Sequence, residues 1–219
     1  MNDHDDTPIA GVADMPSETP VIDLCFPLTG GPVPDDYAAP LAEALLDALP
    51  WLADLPDAGV LPLAGSARGD GIRFIGRRTR LIVRVPKQRA GELAVLRGRR
   101  FELPDAVTLG APVERALAPC RVVHSACIDM DTTHEGEFVA RCRAALDARD
   151  MRGSLVCGRR RRVLTREGVI EGHSLMIYGL RAHQTLALQV SGLGGHRLLG
   201  CGNFVPHKNV AAVGGDIEE

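Results

Sequence analysis

Between Pro20 and Lys208 one order of elements runs through the chain twice: strand, helix, strand, strand, helix, strand. That order leaves few folds open, because each helix must carry the chain back along the sheet and bury an apolar stripe against it. The first copy opens on PVIDLCFPLT, where Val21–Phe26 reads as a buried strand, and GGPVPDD follows as a loop with strong turn chemistry. In YAAPLAEALLDALPWL, Leu41, Leu45, Leu49 and Leu52 share one helical face with Ala44 and Ala48, and Pro40 confines the helix start to its own neighbourhood. GVLPLAG and TRLIVRVP read as the next two strands. In the second, Leu81, Val83 and Val85 alternate with Ile82 and Arg84, the pattern of a half-buried strand. KQRAGELAVLRG reads as a second, shorter helix with Leu93 and Leu96 inward, and RRFELPDAVTLGAP returns as strand structure.

The second copy starts with the strand CRVVHSACIDM. THEGEFVARCRAALDARD is a helix that Thr133 can cap, with Phe138, Cys142, Ala145 and Leu146 as its apolar face. RGSLVCGRRRRVLTREGVI reads as strand, basic turn, strand, and EGHSLMIYGLR as a further strand or hairpin arm. AHQTLALQVSGL is a helix, with Leu186 and Val190 four apart, and GCGNFVPHK closes the copy as a strand. This order is ferredoxin-like. The expectation is an α+β protein of two tandem ferredoxin-like (RRM-like) βαββαβ units, residues 20–118 and 119–208. An acidic disordered tail, 1–19, precedes them and a flexible tail, 209–219, follows.

Charge is unevenly spread. Residues 1–19 and 209–219 hold eight of the 28 acidic residues and none of the 25 Lys and Arg, so a chain of formal net charge −3 has a basic body. Such a body suits a polyanionic partner. The six cysteines form no C-x-x-C pair and read as reduced, mostly buried small hydrophobes rather than zinc ligands or a disulfide framework. No carboxylate cluster has metal-ligand spacing. No apolar run approaches the roughly 20 residues of a membrane span, and no basic start precedes an apolar stretch. The expectation is therefore a cytoplasmic protein without a signal peptide.

The densest glycine segment is SGLGGHRLLGCGNF, Ser191–Phe204. It lacks the last glycine of a dinucleotide fingerprint and follows a helix instead of opening one, and it contains no Gly-Lys-Ser/Thr. Read as a spaced pair, Gly192-Leu193-Gly194 and Gly200-Cys201-Gly202 flank five residues that include Gly195, His196 and Arg197. Clustered glycines let successive amides point one way and let a phosphate approach. Arg197 can add a bidentate phosphate contact, and His196 a hydrogen bond or a stack. The other reading is a tight turn onto the last strand. The strongest charge run is Gly158–Arg162, whose Arg159, Arg160, Arg161 and Arg162 can reach an RNA backbone from a predicted turn. Arg77, Arg78, Arg80, Arg99 and Arg100 form weaker basic clusters. Aromatics are only 4% of the chain, which favours gripping a hairpin backbone over stacking on a long single strand.

The paired G-h-G motif resembles the glycine-rich loop of the RAMP superfamily. Together with VIDLCFPLTGGPVP near the start and GGHRLLGCGNFVPHK near the end, it makes residues 20–208 look like the CRISPR-associated repeat-processing endoribonucleases, the sixth Cas protein family, and most like their MYXAN subtype. The resemblance implies RNA maturation without a cofactor or metal. A repeat RNA hairpin is bound, the 2′-hydroxyl beside the scissile phosphate attacks in line, and a 5′-hydroxyl product leaves. It also implies partnership with other subunits of a CRISPR effector complex and no role for a membrane. RNA contacts are then expected from Arg159–Arg162, Gly192, Gly194, Gly195, His196, Arg197, Gly200, Gly202 and Lys208.

Such cleavage needs a base, an acid and positive charge on the phosphate. Many relatives place a histidine near the start of the first helix, but no histidine lies between His4 and His124 here. Matching Pro34-Asp35-Asp36-Tyr37 to the family's Pro-x-Asp-His puts Tyr37 at the catalytic position, at a helix N-terminus that favours phosphate. With an intrinsic pKa of about 10, tyrosine is a usable proton donor and a poor base. Asp35 and Asp36 are expected to cap that helix. His124 and His173 fall in predicted strands as core or sheet-surface residues, His134 and His183 at helix starts, and His207 beside Lys208 after the last strand. Two alternatives stay open: a repeat-RNA-binding subunit that has lost cleavage, and a small-molecule enzyme on the same fold.

Overall fold

The structure is a computed structural model that describes residues 19–67, 71–103 and 105–207. Of the expected tail 1–19 all but Thr19 lies outside the described residues, as do Lys208 and the whole of the expected tail 209–219. From the N-terminal side the chain forms β1 (Val21–Gly30), β2 (Val33–Pro34), α1 (Ala38–Ala48), β3 (Gly59–Leu61), β4 (Ser66–Ala67), β5 (Ile72–Phe74) and β6 (Arg80–Pro86). Next come β7 (Arg100–Leu103), β8 (Asp105–Leu109) and β9 (Val113–Ala116). The second repeat contributes β10 (Val122–Ile128), α2 (Glu135–Asp147), β11 (Ser154–Leu164), β12 (Val169–Tyr178), α3 (Ala182–Ser191) and β13 (Val205–Pro206).

In the first repeat the sheet runs β3-β6-β1, and β9 pairs with β1 along Ile22–Cys25 on its other side. In the second it runs β11-β12-β10-β13. Counted within each repeat, both orders are second, third, first, fourth, with every pair antiparallel, so the two copies share one ferredoxin-like topology. Three features depart from the sequence reading of the first repeat, the first being a small β2-β5-β4 sheet that takes in part of the expected loop GGPVPDD. The segment expected as its last strand folds into the β7–β8 hairpin, because Asp105 interrupts the inward row of Phe101, Leu103, Val107 and Leu109. The hairpin joins β1 along Leu28–Gly30, and β9 takes the fourth place. The second helix is ten residues of 3₁₀ turns, Lys87–Leu96. Its buried Ala90, Leu93 and Leu96 recur every three residues, the period of that helix.

Each repeat has its own core. In the first, Leu41 and Leu45 of α1, with Leu49 at its C-cap, lie on Leu24, Phe26, Leu81 and Val83 of the sheet. In the second, Phe138, Cys142 and Leu146 of α2 lie on Val123, Leu175 and Ile177. Each large side chain so buried contributes about 1.5–3 kcal/mol of transfer free energy. The N-cap of α2 is His134, not Thr133. Thr132 Oγ1 accepts the His134 amide at 3.2 Å and donates to Glu137 at 2.8 Å, so the chain turns into the helix one residue later.

The repeats meet through buried polar contacts. Arg84, which alternation puts on the half-exposed face of β6, is fully buried because the second repeat covers that face. Its guanidinium grips both oxygens of Asp23, its register partner on β1, at 2.7 and 3.1 Å. It also donates to the carbonyls of Gln189 and Phe204 at 2.7 and 2.8 Å. Four bonds to one buried cation offset a desolvation cost that an unpaired charge could not meet.

Candidate functional site

The first candidate residue sits where β2 turns into α1. Tyr37 occupies the N-cap position, and its carbonyl accepts the Leu41 amide at 2.9 Å. Neither Asp35 nor Asp36 caps the helix through its side chain; Asp35 instead pairs with Arg73 at 3.2 Å. The Tyr37 ring belongs to the first core, and its hydroxyl accepts the Leu63 amide at 2.6 Å. Burial pushes its pKa up, which keeps the phenol protonated. The hydroxyl therefore has a proton to give and no capacity to take one.

The arginine run lies inside β11, not at a turn. Arg160, Arg161 and Arg162 pair in register with His173, Gly172 and Glu171 of β12. The turn comes later, where the Thr165 amide and hydroxyl both donate to the Gly168 carbonyl. Gly158 marks a register irregularity, not a reversal: a Cβ there would stand 2.3 Å from Ser174 Oγ. All four arginines are exposed. Glu171 pairs with Arg160 and, at 3.2 Å, with Arg162, while Arg159 and Arg161 make no ion pair among the described residues. Arg166, at the hairpin tip, reaches Glu43 on α1 at 2.6 Å.

The glycine-rich segment is split between latch and tip. Gly192, Gly200 and Gly202 are buried, and their amides donate to the carbonyls of Leu188, Arg197 and Cys127. The φ angles of Gly192, Gly194, Gly200 and Gly202 are all positive, from 67° to 86°, so only glycine meets the backbone without strain. Arg197, expected to meet phosphate, is buried instead. It bonds Asn203 Oδ1 at 3.0 Å and the Pro56 carbonyl at 3.0 Å. Burial, with the like charge of Arg84, pushes its pKa down to about 10. Asn203 in turn donates to the Val60 carbonyl at 3.0 Å. These bonds stitch the segment to the first repeat, so the amides that clustering offered to a phosphate are largely spent. Gly194, Gly195 and His196 remain exposed at the tip, with His196 Nε2 3.4 Å from Asp129.

Two clefts open where the repeats meet. One, of about 480 Å³, brings together Tyr37, Arg73, Arg161, Arg162 and Gly200, residues far apart in sequence. The second, of about 500 Å³, is lined by Asp23, Arg115, His124, Gln189 and Asn203. Leu61, Pro62 and Ala126 line both, so the clefts adjoin. At the second, the rings of His124 and His207 lie 5.3 Å apart. Burial, then the charges of His207 and Arg161, lower the pKa of His124. Sequence reading placed these histidines separately and missed their meeting, since nothing in a gap of more than eighty residues signals it. His173 packs on Phe138 at 4.9 Å. Among the described residues no group of three or more His, Cys, Asp or Glu could hold a metal ion, and no helix is long and apolar enough to cross a membrane.

The chain resembles known proteins over most of its length. It is 35% identical over 194 residues to the CRISPR-associated endonuclease Cas6 of Myxococcus xanthus, covering 88% of this chain and 84% of that one. Among solved structures, a Cas6-related protein of Pyrococcus furiosus matches with a TM-score of 0.65 at 13% identity, over 84% of this chain and 98% of the other. A RAMP protein described as binding different RNA substrates matches with a TM-score of 0.61, also at 13% identity and over the same shares. At that identity the two structures speak for the fold. The family model described as Cas6 Crispr matches residues 22–209. On that match, and on its identity to the Myxococcus endonuclease, the chain belongs to the Cas6 family.

Proposed function

We propose that this chain matures CRISPR RNA in the cytoplasm: it binds the repeat stem-loop of the precursor and cuts it without metal by attack of the 2′-hydroxyl. The 5′-hydroxyl product leaves, and the protein stays on its RNA within an effector complex. The observation that carries this reading is the first cleft, where Tyr37, Arg161, Arg162 and the end of the glycine-rich segment converge from both repeats. Arg159 and Arg161 in β11 and the exposed tip Gly194–His196 supply the contacts to RNA backbone. Arg160 and Arg162 add charge beside Glu171, Lys208 adds one more cation for RNA, and Arg197, Gly192, Gly200 and Gly202 hold the tip in place. Tyr37 donates a hydrogen bond to a phosphate oxygen in the cleft, the role its raised pKa leaves it. The test is incubation of the full chain with labelled repeat RNA in EDTA. A product bearing a 5′-hydroxyl and a cyclic phosphate is expected, with affinity falling steeply as salt rises.

The burial of the Tyr37 hydroxyl against Leu63 favours one other reading, a repeat-binding subunit that no longer cuts. Tight binding without product in the same experiment would establish it.

A further inference from the structure

We propose that His124 and His207 are the proton-carrying pair of this cleavage, with Arg161 holding the phosphate beside them; the inference rests on the ribonuclease reading above. The cleft at Tyr37 offers a donor, positive charge and the carboxylates of Asp35 and Asp36, but no imidazole. The neighbouring cleft is where one exists.

The pair is built by the sheet. On β10, Val123 and Ser125 are fully buried toward the helices, so His124 and Ala126, half-buried, face the other way. His124 pairs in register with Val205 of β13. Two residues on, the His207 amide donates to the Val122 carbonyl at 2.9 Å, which fixes its backbone beside β10. A diagonal pair on one face of an antiparallel ladder is within side-chain reach, and the rings stand 5.3 Å apart, tilted by 57°. The tilt keeps the rings from stacking face to face, and they are close enough for one substrate group to reach both.

The surroundings suit the roles. From β11, exposed Arg161 lies near enough for its charge to act on His124. From β12 the facing residue is Met176 and from β13 Val205, neither charged. Across the cleft the Asp23 carboxylate is shared by Arg115, at 2.9 Å, and the buried Arg84, two cations on one anion. Burial and the charges of His207 and Arg161 lower the pKa of His124, so it is neutral near pH 7 and able to accept a proton. In the step, His124 takes the proton of the 2′-hydroxyl as the 2′-oxygen bonds to phosphorus. The P–O5′ bond breaks, and the His207 imidazolium gives its proton to the departing oxygen. Arg161 meets the charge on the non-bridging oxygens. The product is a cyclic phosphate and a 5′-hydroxyl, and solvent restores both rings.

The experiment is single-turnover cleavage of 5′-labelled repeat RNA by the full chain in EDTA. His124→Ala and His207→Ala should each slow cutting by at least ~100-fold, with RNA affinity and thermal unfolding little changed. The wild-type pH profile should be bell-shaped, His124→Ala losing the acid limb and His207→Ala the basic one. An RNA with sulfur in place of the leaving 5′-oxygen needs no acid, so it should restore His207→Ala and leave His124→Ala slow. Rates within about 3-fold of wild type for either variant overturn the proposal, as does a loss that merely tracks lost binding or unfolding. Wild-type protein that binds the repeat and never cuts overturns the ribonuclease reading itself, and the pair with it.

Discussion

The two junction clefts are nearly equal in volume, about 480 and 500 Å³, and unlike in chemistry. The one at Tyr37 is walled by aliphatic side chains, arginines and the carboxylates of Asp35 and Asp36, and its one phenol is buried and hydrogen-bonded to Leu63. The one at His124 is lined by the buried carboxylate of Asp23, held by Arg84 and Arg115, and by the ring of His124, 5.3 Å from that of His207. Size alone cannot rank them. What separates them is that the second alone of the two is lined by an imidazole, and we accordingly assign RNA contacts to the first and proton transfer to the second.

The largest effect should follow from attacking the floor of the second cleft. Asp23→Ala strands Arg84 with two carbonyls and no counter-charge, which costs about 3–5 kcal/mol. For a chain of this size that lowers the melting temperature by roughly 6–20 °C. Calorimetry reads the shift. A change within a degree or two would mean the second repeat does not cover Arg84 in solution.

At the first cleft the expected loss is smaller. Tyr37→Phe removes the acceptor of the buried Leu63 amide and should destabilise the chain by about 1–3 kcal/mol. Cleavage should fall less than about 10-fold, far short of the histidine variants, because a hydrogen bond to phosphate is lost and not a proton carrier. A thousand-fold loss of cutting with intact folding would reverse the ranking of the two clefts. Arg161 lines the first cleft and acts by its charge on His124 of the second, so Arg161→Ala tests the link between them. Repeat affinity should drop by about 5- to 10-fold, and the slope of log affinity against log salt should shrink by about one. An unchanged slope would remove this strand from the RNA path.

The same contrast explains what the sequence disclosed. The repeated order and its ferredoxin-like topology were legible because apolar periodicity marks each strand and helix locally, as at Leu41, Leu45 and Leu49. The glycine spacing was legible as a motif, and its positive φ angles bear out the need for glycine. What the motif does was less legible. Arg197 looked like a surface cation until the first repeat was seen to cover it, and Arg84 looked half-exposed for the same reason. Basic residues at Arg159–Arg162 suggested a turn, because charge signals exposure and exposure was equated with a loop. An edge strand is exposed as well, and β11 lies at the edge of its sheet. The His124–His207 pair belongs to neither kind of signal, since only the β10–β13 ladder brings the two together.

The smallest effects should come from the loop tip, and they separate its two jobs. Gly194 has φ +75°, and a Cβ there would stand 2.4 Å from the Asp129 carbonyl. Gly194→Ala should therefore cost stability, by about 1–3 kcal/mol of backbone strain and displacement. Gly195 has nothing within 4 Å of an added Cβ. Gly195→Ala should leave unfolding unchanged within about 0.5 kcal/mol. If the tip lies against the phosphate backbone, the added methyl should still weaken repeat binding by a few-fold, because close approach is what a bare backbone permits there. Equal binding by Gly195→Ala and wild type would confine the segment to its role as a latch between the repeats and leave the RNA grip to β11.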